Sequence, residues 1–188
     1  MIDPACGCES RRGFLGWLLL SFPLACTPIR AATGADAPAA ERRLLLVNTH
    51  TGEVLESRYY VDGHYSAEQL GVLDWLLRDH RTGDVLPIDS RLFDLLHELA
   101  VAAGREPRFE IISGYRAPAT NAMLAATTGG VSSSSLHMQG RAIDVRLVGL
   151  PAIALRDLAL QMQAGGVGYY PVADFVHLDT GRVRSWSG

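Results

Sequence analysis

Two histidines and an aspartate in the last third of the chain have the residue types of a hydrolytic metal site. Six residues separate His137 from Asp144, and His177 lies further along the chain. A hydrolytic zinc site takes three protein ligands, usually histidine or carboxylate, and keeps a further position open for water. His137, Asp144 and His177 supply a nitrogen, oxygen, nitrogen set, so they are our candidate metal ligands.

The neighbours of two candidates favour the same interpretation. Asp144 stands between two β-branched apolar residues, and His177 stands between Val176 and Leu178. A carboxylate on a buried strand face needs a counter-charge, which a metal ion would provide. Taken alone, however, a histidine or aspartate on a strand is more often structural, and the chain has no H-E-x-x-H signature. The spacing by itself therefore leaves a structural role open.

Hydrolysis at such a site also needs a carboxylate that takes a proton and a cationic donor for the developing oxyanion. Asp174 and Asp179 flank His177 and are the acidic candidates. Arg116 ends the run Ser113-Gly114-Tyr115-Arg116 and is the candidate donor. Each has a plainer interpretation as well, because Arg116 could be a salt-bridge partner and Asp179 could cap the following turn.

Composition excludes several other chemistries. The 188 residues are 48% hydrophobic and 20% charged, which is typical of one globular domain with a core. All 17 basic residues are arginine, so a P-loop lysine, a pyridoxal phosphate Schiff base and a Ser-Lys dyad are excluded. The net charge of −3 gives no electrostatic reason to expect a nucleic-acid partner. The three cysteines all lie within the first 26 residues, which disfavours a catalytic thiol in a processed chain.

The N-terminus has the pattern of an export signal. Arg11 and Arg12 precede a short apolar run and then small residues, which resembles a twin-arginine signal. We expect a signal over residues 1–32, a linker over 33–41 and a single catalytic domain over 42–188. Two alternatives remain open, namely an uncleaved anchor and lipidation at Cys26. The apolar run is shorter than the roughly 20 residues of a membrane-spanning helix.

The elements that must position the candidate site follow from capping and periodicity. Thr51-Gly52 between two β-rich runs predicts a hairpin, and Ser66 and Asp89 each stand where a helix cap is expected. Helices come early and short strands come late, so the predicted fold class is α+β. The predicted strands and helices after the hairpin are a helix from Ser66 to near His80, a helix from Asp89 to Gly104, a strand at 109–113, a helix at 119–126, a strand at 142–147, a helix at 155–162 and strands at 166–170, 175–178 and 182–186.

Four motifs in the same order identify a known family. They are Ser113-Gly114-Tyr115-Arg116, the segment from His137 to Asp144, Gly165-Gly166-Val167-Gly168-Tyr169-Tyr170-Pro171, and Phe175-Val176-His177-Leu178-Asp179-Thr180-Gly181. Together they resemble the murein endopeptidase K family of the D-Ala-D-Ala carboxypeptidase and lysostaphin-like zinc peptidases, over about residues 42–186. The resemblance implies that His137, Asp144 and His177 bind Zn²⁺, that Arg116 binds substrate and stabilises the oxyanion, and that Asp174 or Asp179 is the base.

The resemblance also implies a fold and a function. The fold is a hedgehog or D-Ala-D-Ala peptidase type, with a small antiparallel sheet that carries the zinc site and packs against helices. The function is hydrolysis of peptidoglycan cross-links, either D-alanine to meso-diaminopimelate or diaminopimelate to diaminopimelate, by a monomer in the periplasm. Three alternatives remain open: a zinc D,D-carboxypeptidase, a non-catalytic wall-binding module and a structural envelope protein.

Overall fold

The computed structural model of the protein describes residues 41–128 and 132–188. The predicted export signal and residues 33–40 of the predicted linker lie outside the described residues. None of the helices in the described part of the chain has the length and apolar character needed to cross a bilayer. The strands are β1 (Arg42–Asn48), β2 (Val54–Val61), β3 (His64–Tyr65), β4 (Arg108–Ser113), β5 (Ala142–Leu147), β6 (Gly166–Tyr170), β7 (Phe175–Asp179) and β8 (Arg184–Ser187). The α-helices are α1 (Ala67–Leu76), α2 (Ser90–Ala102), α3 (Pro118–Thr127) and α4 (Ala152–Met162).

The strands form one mixed sheet in the order β3-β2-β1-β4-β5-β7-β6-β8. The α+β class is confirmed, but the expectation of a small antiparallel sheet is wrong. The sheet has eight strands, and the pairs β1–β4 and β6–β8 are parallel. The reason lies in the connection through α1 and α2, which returns the chain so that β4 enters beside β1 in the same direction. The N-terminal hairpin thereby becomes continuous with the strands that carry the candidate site.

Side-chain caps start the first two helices where the sequence predicts them. The Ser66 hydroxyl accepts from the backbone N–H of Gln69 at 3.3 Å, and the Asp89 carboxylate accepts from that of Arg91 at 3.1 Å. Helix α1 ends at Leu76, earlier than the predicted end near His80. The carboxylate of Asp79 accepts from the N–H of Arg81 at 2.8 Å, a local bond that favours a turn over another helical turn.

The alternation of side chains along β5 and β7 decides which residues face the core. One set joins the hydrophobic core with α2 and α4 and is fully or almost fully buried: Ile143, Val145, Leu147, Val176 and Leu178. Successive strand residues point to opposite faces of a sheet. Asp144, His177 and Asp179 therefore share the face that the core does not occupy.

Candidate metal centre

Strand register aligns the candidate residues in one row across the sheet. Asp144 on β5 lies directly opposite His177 on β7, and His177 lies opposite Gly168 on β6. Gly168 in turn pairs with Trp186 on β8. Directly opposed residues on neighbouring strands have Cβ atoms about 4.5–5.5 Å apart, which is close enough for side chains to share one ligand. Two ligands that are 33 positions apart in sequence thus become neighbours.

His137 reaches this row from a short 3-10 helix, Leu136–Gln139, that precedes β5. The Ser135 hydroxyl caps the helix by accepting from the backbone N–H of His137 at 3.3 Å. Gly140 ends it with φ of +64°, a conformation that favours glycine, and a Cβ there would collide with the backbone of Pro87. This bend turns the chain from His137 into the strand that bears Asp144.

Three lone-pair-bearing atoms converge at the centre of the site. The distance from His137 Nε2 to His177 Nδ1 is 3.2 Å, that from His177 Nδ1 to Asp144 Oδ1 is 2.8 Å, and that from His137 Nε2 to Asp144 Oδ1 is 3.3 Å. Ligand atoms about 2.0–2.1 Å from a tetrahedral zinc ion lie about 3.3 Å from one another. The donor set and its spacing therefore fit a metal ion such as zinc, and all three residues are buried.

Hydrogen bonds on the far side of each imidazole ring fix its orientation. His137 Nδ1 donates to the backbone oxygen of Gly114 at 2.7 Å, and His177 Nε2 donates to Asp179 Oδ2 at 3.1 Å. These bonds leave His137 Nε2 and His177 Nδ1 free to face Asp144. Metal-binding histidines ordinarily have such a partner on the other ring nitrogen, which sets the tautomer and raises the basicity of the ligand.

The ionisable groups of the cluster shift one another's pKa values strongly. Burial disfavours the charged form of His177, but hydrogen bonds to Asp144 and Asp179 outweigh burial and raise the pKa of His177 to about 9. Burial also opposes ionisation of Asp144, yet the two histidines hold the pKa of that carboxyl well below its usual range. Without a metal ion the His177 ring is therefore protonated and donates to both carboxylates, and a bound cation would replace the proton on Nδ1.

The structure places Asp179 behind His177, away from the converging atoms. Its carboxylate is fully buried and accepts from Arg184 at 2.7 and 3.0 Å and from the backbone N–H groups of Gly166 and Gly181 at 3.0 and 2.8 Å. Burial opposes ionisation, but the bonds from His177 and Arg184 outweigh it and lower the pKa of Asp179. Every face of this carboxylate is thus engaged by a donor, an arrangement suited to orienting His177.

The structure places Asp174 outside the cluster. It lies in the turn between β6 and β7 with φ of +51°, and its side chain is 70% exposed. The charged group near its carboxylate is Arg146, whose Nε is 3.7 Å from Asp174 Oδ2. The two acidic candidates that flank His177 in sequence therefore occupy different environments, and Asp179 is the one that contacts the cluster.

Arg116 lies beside the cluster and is held from several directions. Its guanidinium is 3.8 Å from Asp144 Oδ2 and donates to Ser113 Oγ at 3.3 Å and to Asn121 Oδ1 at 3.4 Å. Its backbone N–H donates to the oxygen of His137 at 3.2 Å. Burial lowers the pKa of Arg116, although a guanidinium remains charged in proteins. The result is a partly buried cation directed at the site from the loop after β4.

The three converging atoms open onto a cleft of about 870 Å³. Several of its lining residues were not candidates from sequence, namely Tyr170, Arg182, Arg184 and Trp186. Asp144 is the one side-chain carboxylate among the described residues that line it, against the side chains of three arginines, so the lining side chains are mainly cationic. Alternation along β6 could have placed Tyr170 on the face of Gly168, but only the strand register brings that face to His177 and Trp186.

Comparison with known proteins assigns the chain to a family. The sequence model of the family described as peptidoglycan L,D-endopeptidase MepK matches residues 36–186. The probable peptidoglycan L,D-endopeptidase MepK of Haemophilus influenzae is 37% identical over 175 residues, which are 93% of this chain and 92% of that protein. The peptidoglycan L,D-endopeptidase MepK of Escherichia coli K12 is 39% identical over 172 residues, which are 92% and 93% of the two chains. No solved structure matches the chain significantly. The chain therefore belongs to the peptidoglycan L,D-endopeptidase MepK family.

Proposed function

We propose that this protein is a zinc-dependent endopeptidase that hydrolyses peptide cross-links of peptidoglycan. The observation that carries the proposal is the cluster of His137, Asp144 and His177, open to a cleft, in a chain of the MepK family. The named relatives are L,D-endopeptidases. We therefore favour a bond between an L and a D centre, as in two directly joined diaminopimelates, over the D-alanine to diaminopimelate link.

His137 Nε2, Asp144 Oδ1 and His177 Nδ1 would hold the zinc ion. When bound, the ion supplies Lewis-acid polarisation of the scissile carbonyl and lowers the pKa of water. The protein supplies the fixed geometry. Gly114 and Asp179 hold the two imidazole rings so that both free nitrogens face Asp144. We assign Asp179 to the positioning of His177, because its carboxylate lies on the side of the ring opposite Nδ1.

Arg116 and the other arginines of the cleft would bind the substrate. Stem peptides of the wall carry free carboxylates, and a cationic cleft attracts them. Arg184 is paired with Asp179, whereas Arg182 forms no salt bridge with any described residue. Arg116 lies closest to the cluster, where a partly buried guanidinium would stabilise negative charge that develops on the carbonyl oxygen. We assign Arg116 to the oxyanion and Arg182 to a substrate carboxylate.

The cellular setting follows from the substrate. A wall hydrolase acts in the envelope, so we propose export to the periplasm through the predicted signal at residues 1–32 and activity as a monomer. Peptidoglycan is then the partner. Two alternative functions are compatible with the same family and site, namely removal of terminal D-alanine by a D,D-carboxypeptidase and binding of the wall without catalysis.

The deciding experiment incubates the purified protein with intact peptidoglycan, with zinc or with a chelator, and identifies the released fragments by mass. We expect zinc-dependent conversion of cross-linked dimers to monomers whose new ends lie at an L,D bond. Asp144→Asn is the matched inactive control. Loss of terminal D-alanine alone would identify a carboxypeptidase, and binding of the wall without any cleavage would identify a binding module.

A further inference from the structure

The hydroxyl of Tyr170 at the cleft has a hydrogen-bonding arrangement that the proposed function leaves unused. Trp186 Nε1 donates to Tyr170 Oη at 3.0 Å. An indole N–H can only donate, so the phenolic oxygen is the acceptor in this bond and its own hydrogen remains available. No acceptor for that hydrogen is found among residues 41–128 and 132–188. Because Tyr170 lines the cleft, the free O–H is a donor available to a molecule bound there.

The ring of Tyr170 is held on both sides, so the hydroxyl has a defined position. Its ring stacks on Phe175 with centroids 4.5 Å apart and planes at 17°. The backbone of Gly188 packs against the ring closely enough that a Cβ there would be 2.6 Å from Cδ1 of Tyr170. A donor fixed before the substrate arrives requires no reorganisation during the reaction, which makes it effective at stabilising developing charge.

Trp186 links this hydroxyl to the candidate metal ligands. The indole lies over Gly168, where a Cβ would be 2.6 Å from the ring, and its centroid is 5.1 Å from that of His177. Gly168 therefore provides the space that lets Trp186 reach both His177 and Tyr170. The same row of paired strands that aligns Asp144 and His177 thus determines where the phenolic O–H lies.

We propose that Tyr170 is a catalytic residue that donates a hydrogen bond to the scissile carbonyl oxygen as that oxygen becomes negatively charged. This inference rests on the proposed peptidase function. Tyr170 and Arg116 would then supply two donors, one neutral and one cationic, to the same oxygen. Tyr170 keeps its proton throughout, and no bond to it forms or breaks. A donor of this kind, when removed, typically costs about 10²–10³-fold in kcat.

The test replaces Tyr170 by phenylalanine, which deletes only the hydroxyl. We expect kcat of Tyr170→Phe on a purified cross-linked dimer to fall about 10²–10³-fold while KM changes by less than about 3-fold. A readout other than activity is the affinity for a phosphinate analogue of the dimer, whose tetrahedral oxygens resemble the transition state. Its Kd should weaken by a similar factor, with the bound zinc per chain unchanged.

Two further variants make the test specific. Tyr169→Phe is the matched control, because Tyr169 points to the opposite face, packs on the core and lies under Arg156. It should retain the wild-type kcat and phosphinate affinity. Trp186→Phe removes the N–H that orients the hydroxyl and keeps Tyr170, so we expect a smaller loss of kcat, about 10-fold.

Either of two results would overturn the inference by itself. One is an active wild-type protein whose Tyr170→Phe variant keeps kcat and phosphinate affinity within about 3-fold. The other is a variant in which only KM rises, because that pattern indicates ground-state binding of substrate. A wild-type protein that cleaves no cross-link would instead overturn the proposed function, and this inference with it.

Discussion

The two halves of the sheet bury different kinds of side chain. Strands β1 and β4 contribute Leu44, Leu46, Phe109 and Ile111, all essentially inaccessible to solvent, to a core that α1 and α2 cover. Strands β5 and β7 bury Asp144, His177 and Asp179 on their open face. Removal of apolar surface from water stabilises both halves, but burial of charge destabilises the second unless partners compensate. We infer that the second half is organised to hold a cation and the first half to keep it in place.

The largest effect should follow a truncation in the apolar half. Phe93 on α2 is fully buried and its ring centroid lies 5.8 Å from that of Tyr59. Phe93→Ala removes most of a buried ring and leaves a cavity, so we expect the free energy of unfolding to fall by about 3–5 kcal/mol. Urea unfolding at a fixed zinc concentration measures this change. The zinc affinity of the molecules that remain folded should not change.

Val101→Ala on the same helix is the control for that truncation. The side chain of Val101 is 66% exposed, so its truncation should change stability by less than about 0.5 kcal/mol. A large loss of zinc affinity in folded Phe93→Ala would show that the two halves are coupled rather than separate. Similar destabilisation by both variants would contradict the location of the core.

The next effect should appear in the charged half as a change in metal affinity. Asp179→Asn weakens the acceptor for His177 Nε2 and leaves Arg184 without its carboxylate. Loss of such a partner typically lowers metal affinity about 10–100-fold. Competition with a chromogenic chelator measures the zinc Kd. Exposed Asp157 on α4 provides the matched control, Asp157→Asn, for which we expect no change.

The same variant distinguishes two roles of Asp179. If it positions His177, a saturating zinc concentration should restore most of kcat to Asp179→Asn. If it is the base, the fully loaded variant should remain nearly inactive. The second outcome would contradict our assignment, although the burial of this carboxylate among donors from four residues favours the first.

Local signals predicted the apolar half well. Ser66 and Asp89 identified the starts of α1 and α2, because a cap involves residues only two or three positions apart. The fold class was confirmed for the same reason, since it depends on the order of elements. The parallel pairing of β1 with β4 was missed because no local pattern encodes which distant strand lies beside another.

Prediction of the charged half named three candidate ligands that the structure brings together, but it missed Tyr170, Arg182, Arg184 and Trp186 at the cleft. Spacing and family resemblance indicated the three candidate ligands, and the structure brings their donor atoms together. The sequence did not distinguish Asp174 from Asp179. A turn with a positive φ directs Asp174 away from the cluster, whereas strand alternation directs Asp179 toward it. The contribution of Trp186 depends on the register of β6 with β8, which sequence does not reveal.

A smaller effect should appear at acid pH where α2 begins. A hydrogen bond from Arg91, opposed by burial and assisted by Thr180, lowers the pKa of Asp89 to about 2. An unfolded aspartate has a pKa of about 3.9, so the folded state is favoured by ionised Asp89 above that pH. This stabilisation is lost as pH falls from about 4 to about 2. We therefore expect Asp89→Asn to lower the free energy of unfolding by about 1 kcal/mol at pH 7 and by only a few tenths of a kcal/mol, roughly, at pH 2.

Urea unfolding of both proteins at several pH values between 2 and 7 measures this convergence. Asp84→Asn is the control, because Asp84 is exposed in the preceding loop and its side chain forms no hydrogen bond or salt bridge with the described residues. The free energy of unfolding of Asp84→Asn should stay close to that of the wild type at every pH. If the free energy of unfolding of Asp89→Asn differed from that of the wild type by the same amount at every pH, the charge of the Asp89 carboxylate would contribute nothing to stability.

The smallest effect should come from Asp174, the acidic candidate that the structure places outside the cluster. Asparagine is the right replacement because Asp174 has φ of +51°, a region that asparagine tolerates as well as aspartate does. The backbone oxygen of Asp174, which accepts from Arg146 Nε at 2.5 Å, is unaffected by the change. We therefore expect Asp174→Asn to keep kcat, KM and zinc affinity within about 2-fold of wild type. A loss of kcat above about 100-fold at full zinc occupancy would mean that this exposed carboxylate reaches the substrate and acts as the base. In that event the two flanking aspartates would have different roles, because Asp179 would orient His177 and Asp174 would transfer the proton.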